Sequence, residues 1–187
     1  MYNIGGYFIG LGAGASRFGG ITLIPFPEGA IAYYRMDESS GAVIDAVSGN
    51  NGTNNGATPN VTGKINTAYE FDGLVDSISM GDLDVFSFND GSGDLPFTIS
   101  AWVKPNLGVD VPIVSKYEAF TPTFKGEYSF YMLSTGNVMF QVLDGATTTR
   151  CLAYSTETLT DAVWSHVVAT YDASAVDEGI KIYINGT

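Results

Sequence analysis

A long polar loop early in the chain carries side chains that could bind a metal ion. Asp37, Glu38 and Asp45 offer carboxylate oxygens, and Asn50 and Asn51 offer amide oxygens. Ca²⁺ prefers several oxygen ligands of these kinds, and the glycines of the loop allow its backbone to curl around an ion. We predict a calcium site whose ligands are Asp37, Asp45, Asn50 and Asn51. The alternative is a solvated turn loop.

Aromatic side chains in or near the predicted loops could provide a platform for a sugar. The face of an aromatic ring packs against the C–H face of a pyranose, while the alternative for each ring is packing in the core. The residues predicted to bind a ligand in this way are Tyr117, Phe120, Phe124, Tyr128 and Tyr154.

The charge balance and the cysteine count exclude several classes of protein. The net charge is −12, from 20 acidic and 8 basic residues, so a nucleic acid is not expected as a partner. The single cysteine, Cys151, excludes a disulfide within the chain, and its alternating surroundings predict a small buried side chain. No run of about 20 apolar residues is present, so no membrane span is expected.

Residues 1–29 differ from the rest of the chain. They are rich in glycine and aromatic residues and nearly uncharged, and Pro25, Pro27 and Gly29 end the segment. The segment lacks the basic start and the regular apolar run of a signal peptide, so export by the usual secretory route is not expected. We predict an N-terminal arm that docks on a partner surface, because its apolar side chains need one. The predicted docking residues are Tyr7, Phe8, Ile9, Leu11 and Phe18.

From residue 30 onward, strand patterns alternate with turn patterns. The clearest strand is FTISAWVKP, in which alternate residues from Phe97 to Val103 share one face and those from Thr98 to Lys104 share the other. No segment shows a sustained helical period, and the loops are rich in Gly, Asn and Asp. Residues 30–187 are therefore predicted to form one all-β, antiparallel two-sheet sandwich. The other predicted strands are IAYYRM, INTAYEF, DSISM, VPIVSKY, EYSFYML, NVMFQVL, VWSHVVATYD and IKIYI.

Five segments in series resemble the laminin G-like, or concanavalin A-like, jelly-roll family. They are AYYRMDESSG with DAVSGNNG, AYEFDGLVDSISMGDL, FTISAWVKP, WSHVVATYD and IKIYING, and they follow the family's order across about residues 30 to 187. The resemblance implies two antiparallel sheets packed face to face, often with calcium at one rim, where it places the stretch that begins at Asp45. Members of the family mostly bind glycans or proteins.

The chain departs from this family at both ends. Family domains run past the Asn185-Gly186 turn into final strands, so the resemblance implies a sandwich that is incomplete at its C-terminus and has an open sheet edge. The N-terminal arm does not match the family. The open position could be filled by the arm, by a neighbouring chain or by sequence outside these 187 residues.

Catalysis is not expected. Glucanases that share this sandwich carry a Glu-x-Asp-x-x-Glu run, which places carboxylates on one face of a strand, and this chain has no such run. Glu157 and Asp161 lie four residues apart in a predicted loop, which favours a solvated pair. His166 falls in a predicted structural strand, so we do not expect it to be a catalytic base.

These features favour a non-enzymatic binding module displayed on a surface. The first hypothesis is a phage virion component, either a capsid decoration or a tail-fibre protein. It would contact neighbouring virion chains or copies of itself through the arm and the open sheet edge, and present a jelly roll that binds a cell-surface glycan or a protein. The alternative is a carbohydrate-binding or adhesion module of a secreted bacterial protein, located outside the cell or on its surface. A more distant alternative is a glucanase-type glycoside hydrolase.

Overall fold

The structure is a computed structural model that describes residues 1–10, 29–89, 92–118, 125–143 and 150–187. Two short 3-10 helices cover Asp84–Phe86 and Asp177–Gly179. No helix among the described residues has the length and apolar character needed to cross a membrane. The strands are β1 (Tyr2–Gly10), β2 (Ala30–Tyr34), β3 (Thr53–Asn55), β4 (Thr58–Thr62), β5 (Thr67–Phe71), β6 (Ser77–Ser79), β7 (Phe97–Lys104), β8 (Val111–Glu118), β9 (Lys125–Met132), β10 (Asn137–Leu143), β11 (Arg150–Thr158), β12 (Ser165–Tyr171) and β13 (Ile180–Ile184).

Two antiparallel sheets form the sandwich. The larger has the order β13-β12-β7-β1-β5-β4, with β2 also paired to β1, and the smaller has the order β11-β10-β9-β8. The Phe97 ring of the larger sheet lies 5.2 Å from the Tyr128 ring and 5.8 Å from the Phe140 ring of the smaller sheet, measured between centroids. These contacts place the hydrophobic core between the sheets, so the predicted all-β, antiparallel jelly-roll sandwich is confirmed.

Strand β7 shows how the pattern of the sequence produces this core. Its residues alternate strictly between buried and half-buried, and the buried set runs from Phe97 to Val103 as predicted. Because successive side chains point to opposite faces of a sheet, this set faces the core and the Thr98–Lys104 set faces away from it. The same alternation on β12 buries Val167 and Ala169.

The first ten residues lie inside the larger sheet. One edge of β1 pairs with β7 from Asn3 to Gly10. Its other edge pairs with β5 at Tyr2–Ile4 and with β2 at Tyr7–Gly10. Strand β1 therefore joins the β13-β12-β7 part of the sheet to the β2, β5 and β4 part.

The sequence predicts an N-terminal arm over residues 1–29, which could itself fill an open position in a sheet, and residues 2–10 of that segment form strand β1. Of the five predicted docking residues, the backbones of Tyr7, Phe8 and Ile9 pair with β2 and β7, while Leu11 and Phe18 lie outside the described residues. A glycine-rich segment still carries backbone donors and acceptors that need partners, and a position between two strands supplies them. A docking role for these side chains stays a prediction.

Candidate functional site

The loop predicted to bind calcium is organised around the Asp45 carboxylate, which is 4% exposed. Asp45 Oδ1 accepts hydrogen bonds from the backbone N–H groups of Tyr33 (2.9 Å) and Val47 (3.0 Å). Asp45 Oδ2 accepts bonds from the N–H groups of Ser48 and Asn50 and from the Ser48 hydroxyl at 2.6 Å. Burial alone would raise the pKa of Asp45, but these bonds outweigh it and leave the pKa below its ordinary value.

The other predicted calcium ligands have different partners. Asn51 Oδ1 accepts the N–H of Asp45, and the Asn50 amide donates to the Ser48 hydroxyl. Asp37 Oδ2 accepts a bond from Asn66, outside the loop. In the part of the chain that the structure describes, no three His, Cys, Asp or Glu side chains come together as metal ligands do. The calcium site stays a prediction.

Of the five predicted aromatic residues, the structure describes the side chains of Tyr128 and Tyr154, and these lie on opposite faces of the smaller sheet. Tyr128 is 2% exposed and packs on Phe97, so the prediction that its ring is available to a ligand is corrected: it is a core residue. Tyr154 on β11 is 56% exposed. Tyr117 lies at the far end of β8, on the opposite edge of the smaller sheet, where its backbone pairs with Gly126. Phe120 and Phe124 lie outside the described residues.

Tyr154 belongs to a surface that the sequence reasoning missed. On β9 and β10 the residues Tyr128, Phe130, Val138 and Phe140 face the core, so the residues between them face away from it. Tyr131 and Met139 pair directly across β9 and β10, and Met139 pairs with Tyr154 on β11. We call the surface formed by Ser129, Tyr131, Met139, Gln141 and Tyr154 the four-stranded outer face.

A polar pair lies beside this row. Gln141 and Ser129 are paired across β10 and β9, and the Gln141 amide Nε2 donates a hydrogen bond of 2.7 Å to Ser129 Oγ. Both side chains are buried, at 8% and 0% exposed, although they point away from the core. The face thus combines aromatic and thioether surface with a fixed amide, which is the kind of lining that binds and orients an organic ligand. The alternating pattern of EYSFYML and NVMFQVL was the signal that could have revealed it.

A small cavity of about 150 Å³ lies beside the other edge of this sheet, lined in part by Ile78, Met80 and Tyr128. At its wall, Lys116 Nζ forms ion pairs with Glu127 (2.5 Å) and Asp82 (2.9 Å). Burial acts to lower the pKa of Lys116, but the bonds with the two carboxylates outweigh it and raise the pKa. Lys116 is thus held by structural partners, and the four-stranded outer face is the stronger candidate site.

The match to a known family covers the strands that build this face. Residues 81–187 match the family model described as the concanavalin A-like lectin/glucanases superfamily. The chain belongs to this superfamily. The match begins before β7 and takes in all strands from β7 to β13. No curated protein and no solved structure matches the chain. Membership supports a carbohydrate-binding type of module, in a superfamily that also includes glucanases.

The side chains considered for catalysis are spread over the lectin-like domain. Glu157 lies on β11, and its Oε2 accepts a bond from the Thr187 hydroxyl. Asp161 Oδ1 accepts the N–H of Leu107 at 2.9 Å. His166 faces outward from the larger sheet, where its ring lies 5.2 Å from that of Trp102, and burial lowers its pKa. His166 thus lies on a different sheet from Glu157, and Glu157 and Asp161 each have a structural partner.

Proposed function

We propose that this protein is a non-enzymatic, surface-displayed module that binds a glycan on its four-stranded outer face. The observation that carries the proposal is the cross-strand row of Tyr131, Met139 and Tyr154 beside the buried pair of Gln141 and Ser129. Membership in a superfamily of lectins and glucanases favours a sugar over other ligands.

The chemistry of the face suits a pyranose. The exposed Tyr154 ring offers a flat apolar surface to the C–H face of a sugar, and its hydroxyl is a donor and an acceptor. The bond between the Gln141 amide and Ser129 Oγ joins the strands that carry Met139 and Tyr131, and it therefore holds this row of side chains in place. Direct cross-strand neighbours lie about 5 Å apart, which gives the row the width of a short oligosaccharide contact.

Binding without hydrolysis is the function that this face supports. Glycosidases need two carboxyl groups on opposite sides of the scissile bond. The positions on β10 that alternate with its core residues are Asn137, Met139, Gln141 and Leu143, and those beside them on β11 are Leu152 and Tyr154. None of them is Asp or Glu, and Glu127 on β9 is paired with Lys116.

The finer proposal is that the module is displayed on a virion. Its support is the combination of a sugar-binding type of domain, an acidic composition and an apolar, glycine-rich sequence between β1 and β2 that includes the predicted docking residues Leu11 and Phe18. Mass spectrometry of gradient-purified phage particles from the source culture tests this proposal. Recovery of the protein with the particles supports it, and recovery only in particle-free medium supports a secreted adhesion module instead.

A glycan array followed by calorimetry tests the binding site. We expect the full chain to bind at least one array glycan, with an affinity that Tyr154→Ala lowers about tenfold, the equivalent of ~1.4 kcal/mol of ring stacking. Tyr154→Phe should retain most of the affinity because it keeps the ring. Leu74→Ala, which removes an exposed apolar side chain from the loop between β5 and β6, is the control and should bind normally. An array without any ligand, or equal binding by Tyr154→Ala, would refute the site.

A further inference from the structure

The larger sheet also presents an outward surface, on β7, β12 and β13. On β7 the alternate residues Phe97, Ile99, Ala101 and Val103 face the core, as Val167 and Ala169 do on β12. The residues between them point away from the core. On β13, Ile180 and Ile184 are buried, so Lys181 and Tyr183 point outward. We call this surface the seven-stranded outer face; its residues are Thr98, Ser100, Trp102, Lys104, His166, Val168, Thr170, Lys181 and Tyr183.

Trp102 organises one end of this face. It pairs across the sheet with His166 on β12 and with Gly5 on β1, which has no side chain. The His166 ring lies 5.2 Å from the Trp102 ring at an interplanar angle of 40°, and Lys64 Nζ lies 5.2 Å from the Trp102 ring centre. The indole thus holds an ammonium group by a cation–π contact and an imidazole beside it.

Along β7, β12 and β13 the outward charge is opposite to that of the protein. These strands contain no Asp or Glu, whereas Lys104 and Lys181 point outward from them and Lys64 reaches over Trp102. Three of the eight basic residues therefore lie on or over this one face, in a chain whose net charge is −12. Two acidic groups border this area: Glu70 on β5, which lies in the same cross-strand row as Lys104, and Asp172 just after β12, near Lys181. Burial lowers the pKa of His166, so at neutral pH the positive charge comes from the lysines.

The other residues of the face indicate a hydrated, polar partner. Thr98, Ser100 and Thr170 offer hydroxyl groups, and Val168 is the one aliphatic residue among the outward positions of β7 and β12. The cores of protein–protein interfaces are more apolar than this and poorer in lysine. The charge complementarity and the polar surface together favour an acidic sugar over an acidic protein.

The spacing of the lysines indicates a polymer rather than a single small anion. Lys181 on β13 pairs with Thr170 on β12, which pairs with Thr98 on β7. Lys181 therefore lies two strands away from β7, level with Thr98, and Thr98 precedes Lys104 by six residues. At about 3.3 Å per residue and 4.8 Å per strand, Lys104 and Lys181 are separated by roughly 20 Å along the strands and 10 Å across them. One small anion cannot reach both lysines.

We propose that the seven-stranded outer face binds an acidic polysaccharide, a linear chain of sugars that carry carboxylate or sulfate groups. The lysine ammonium groups donate charge-assisted hydrogen bonds to the acid groups, and the hydroxyl and indole groups between them contact the sugar units. This surface is separate from the four-stranded outer face, so either site can fail in an experiment while the other is retained.

The test uses the full chain and immobilised polygalacturonate, with neutral dextran and poly-L-glutamate as comparison polymers. We expect polygalacturonate to bind at low ionic strength, to weaken as salt is added, and to bind at least tenfold more tightly than either comparison polymer. The double variant Lys64→Gln/Lys104→Gln should lose at least tenfold in affinity. The charge-matched control Lys125→Gln/Arg150→Gln, which removes two charges from the smaller sheet, should lose less than threefold.

Two further variants separate a binding role from a structural one. Trp102→Ala should weaken binding as the lysine pair does, and Leu74→Ala, which removes an exposed side chain outside both outer faces, should leave polygalacturonate binding unchanged. Circular dichroism and urea midpoints establish that each variant is folded. Failure of polygalacturonate to bind, equal binding of poly-L-glutamate, or equal losses in the two double variants would overturn the proposal.

Discussion

The Gln141 amide donates a hydrogen bond to Ser129 Oγ over 2.7 Å, between two side chains that point away from the core and are nevertheless buried. The two residues are direct partners across β10 and β9. A buried polar group that keeps its partner costs little, whereas one that loses its partner costs its full desolvation energy. The pair is therefore expected to be energetically coupled.

A double-mutant cycle measures this coupling. Gln141→Leu and Ser129→Ala should each lower the free energy of unfolding by about 1–2 kcal/mol, because each removes the hydrogen bond that joins the two buried side chains. The double variant should be more stable than the sum of the single effects predicts, since neither polar group then remains. Urea denaturation of the four proteins is the measurement, and strictly additive effects would contradict the coupling.

Asp45 should make stability depend on pH in the acid range. The pKa of Asp45 in the folded protein lies below its ordinary value of about 3.9. The carboxylate therefore makes its full contribution to the free energy of unfolding above about pH 3.9, and this contribution is lost as the pH falls through the folded pKa. Asp45→Asn should cost about 1–3 kcal/mol near neutral pH, because a neutral amide accepts the loop N–H bonds more weakly. Urea midpoints of the two proteins from neutral to strongly acid pH give the difference.

That difference should begin to shrink below about pH 4, where Asp45 of the unfolded chain takes up a proton, and it should be lost once the folded carboxylate is protonated as well. Asp72, Asp110 and Asp172 also have lowered pKa values, but they are present in both proteins and cancel in the comparison. A difference that stays constant over the whole range would show that the charge of Asp45 does not contribute.

Most of the sandwich could be predicted because its long strands alternate. The pattern of Phe97–Lys104 is strict, and the same reasoning located NVMFQVL and IKIYI with their observed limits. The short strands β3 and β4 were missed within a polar loop. Their side chains are Thr, Asn, Pro and Val, and their extended form is set by pairing with β6 and β5 rather than by their own pattern.

The candidate site was less predictable than the fold. Tyr128 and Tyr154 are both tyrosines beside predicted loops, and only the packing of the sheets determines that one ring meets Phe97 while the other is exposed. The position of strand β1 (Tyr2–Gly10) within the larger sheet could not be predicted for a different reason. Glycines interrupt the alternation of its residues, and its partner strands β5 and β7 are distant in sequence. Long-range pairing of this kind leaves little local signal.

Lys116 provides a contrast between a buried and an exposed ion pair. Its partner Glu127 has a side chain that is 26% exposed, whereas that of Asp82 is 88% exposed. Water screens the exposed pair and leaves the half-buried pair strong. Double-mutant cycles with Lys116→Gln should therefore give a coupling of about 1–3 kcal/mol for Glu127→Gln and almost none for Asp82→Asn. Equal couplings, measured by thermal or urea unfolding, would contradict this ranking.

Gly136 in the β9–β10 turn should tolerate alanine much less well than Gly186 does. Both glycines have positive φ angles, +91° and +90°, so alanine at either position costs roughly 1 kcal/mol of backbone strain. A Cβ atom on Gly136 would also lie 2.9 Å from the Leu159 carbonyl oxygen, whereas one on Gly186 would meet no atom within 4 Å. The Gly136 carbonyl accepts the N–H of the same Leu159 at 2.8 Å, so relief of the clash disturbs that bond. Gly136→Ala should therefore lower the free energy of unfolding by about 2–4 kcal/mol and Gly186→Ala by about 1 kcal/mol. Urea midpoints of the two variants measure the contribution of the Leu159 contact directly, and equal losses would show that the turn moves aside without cost.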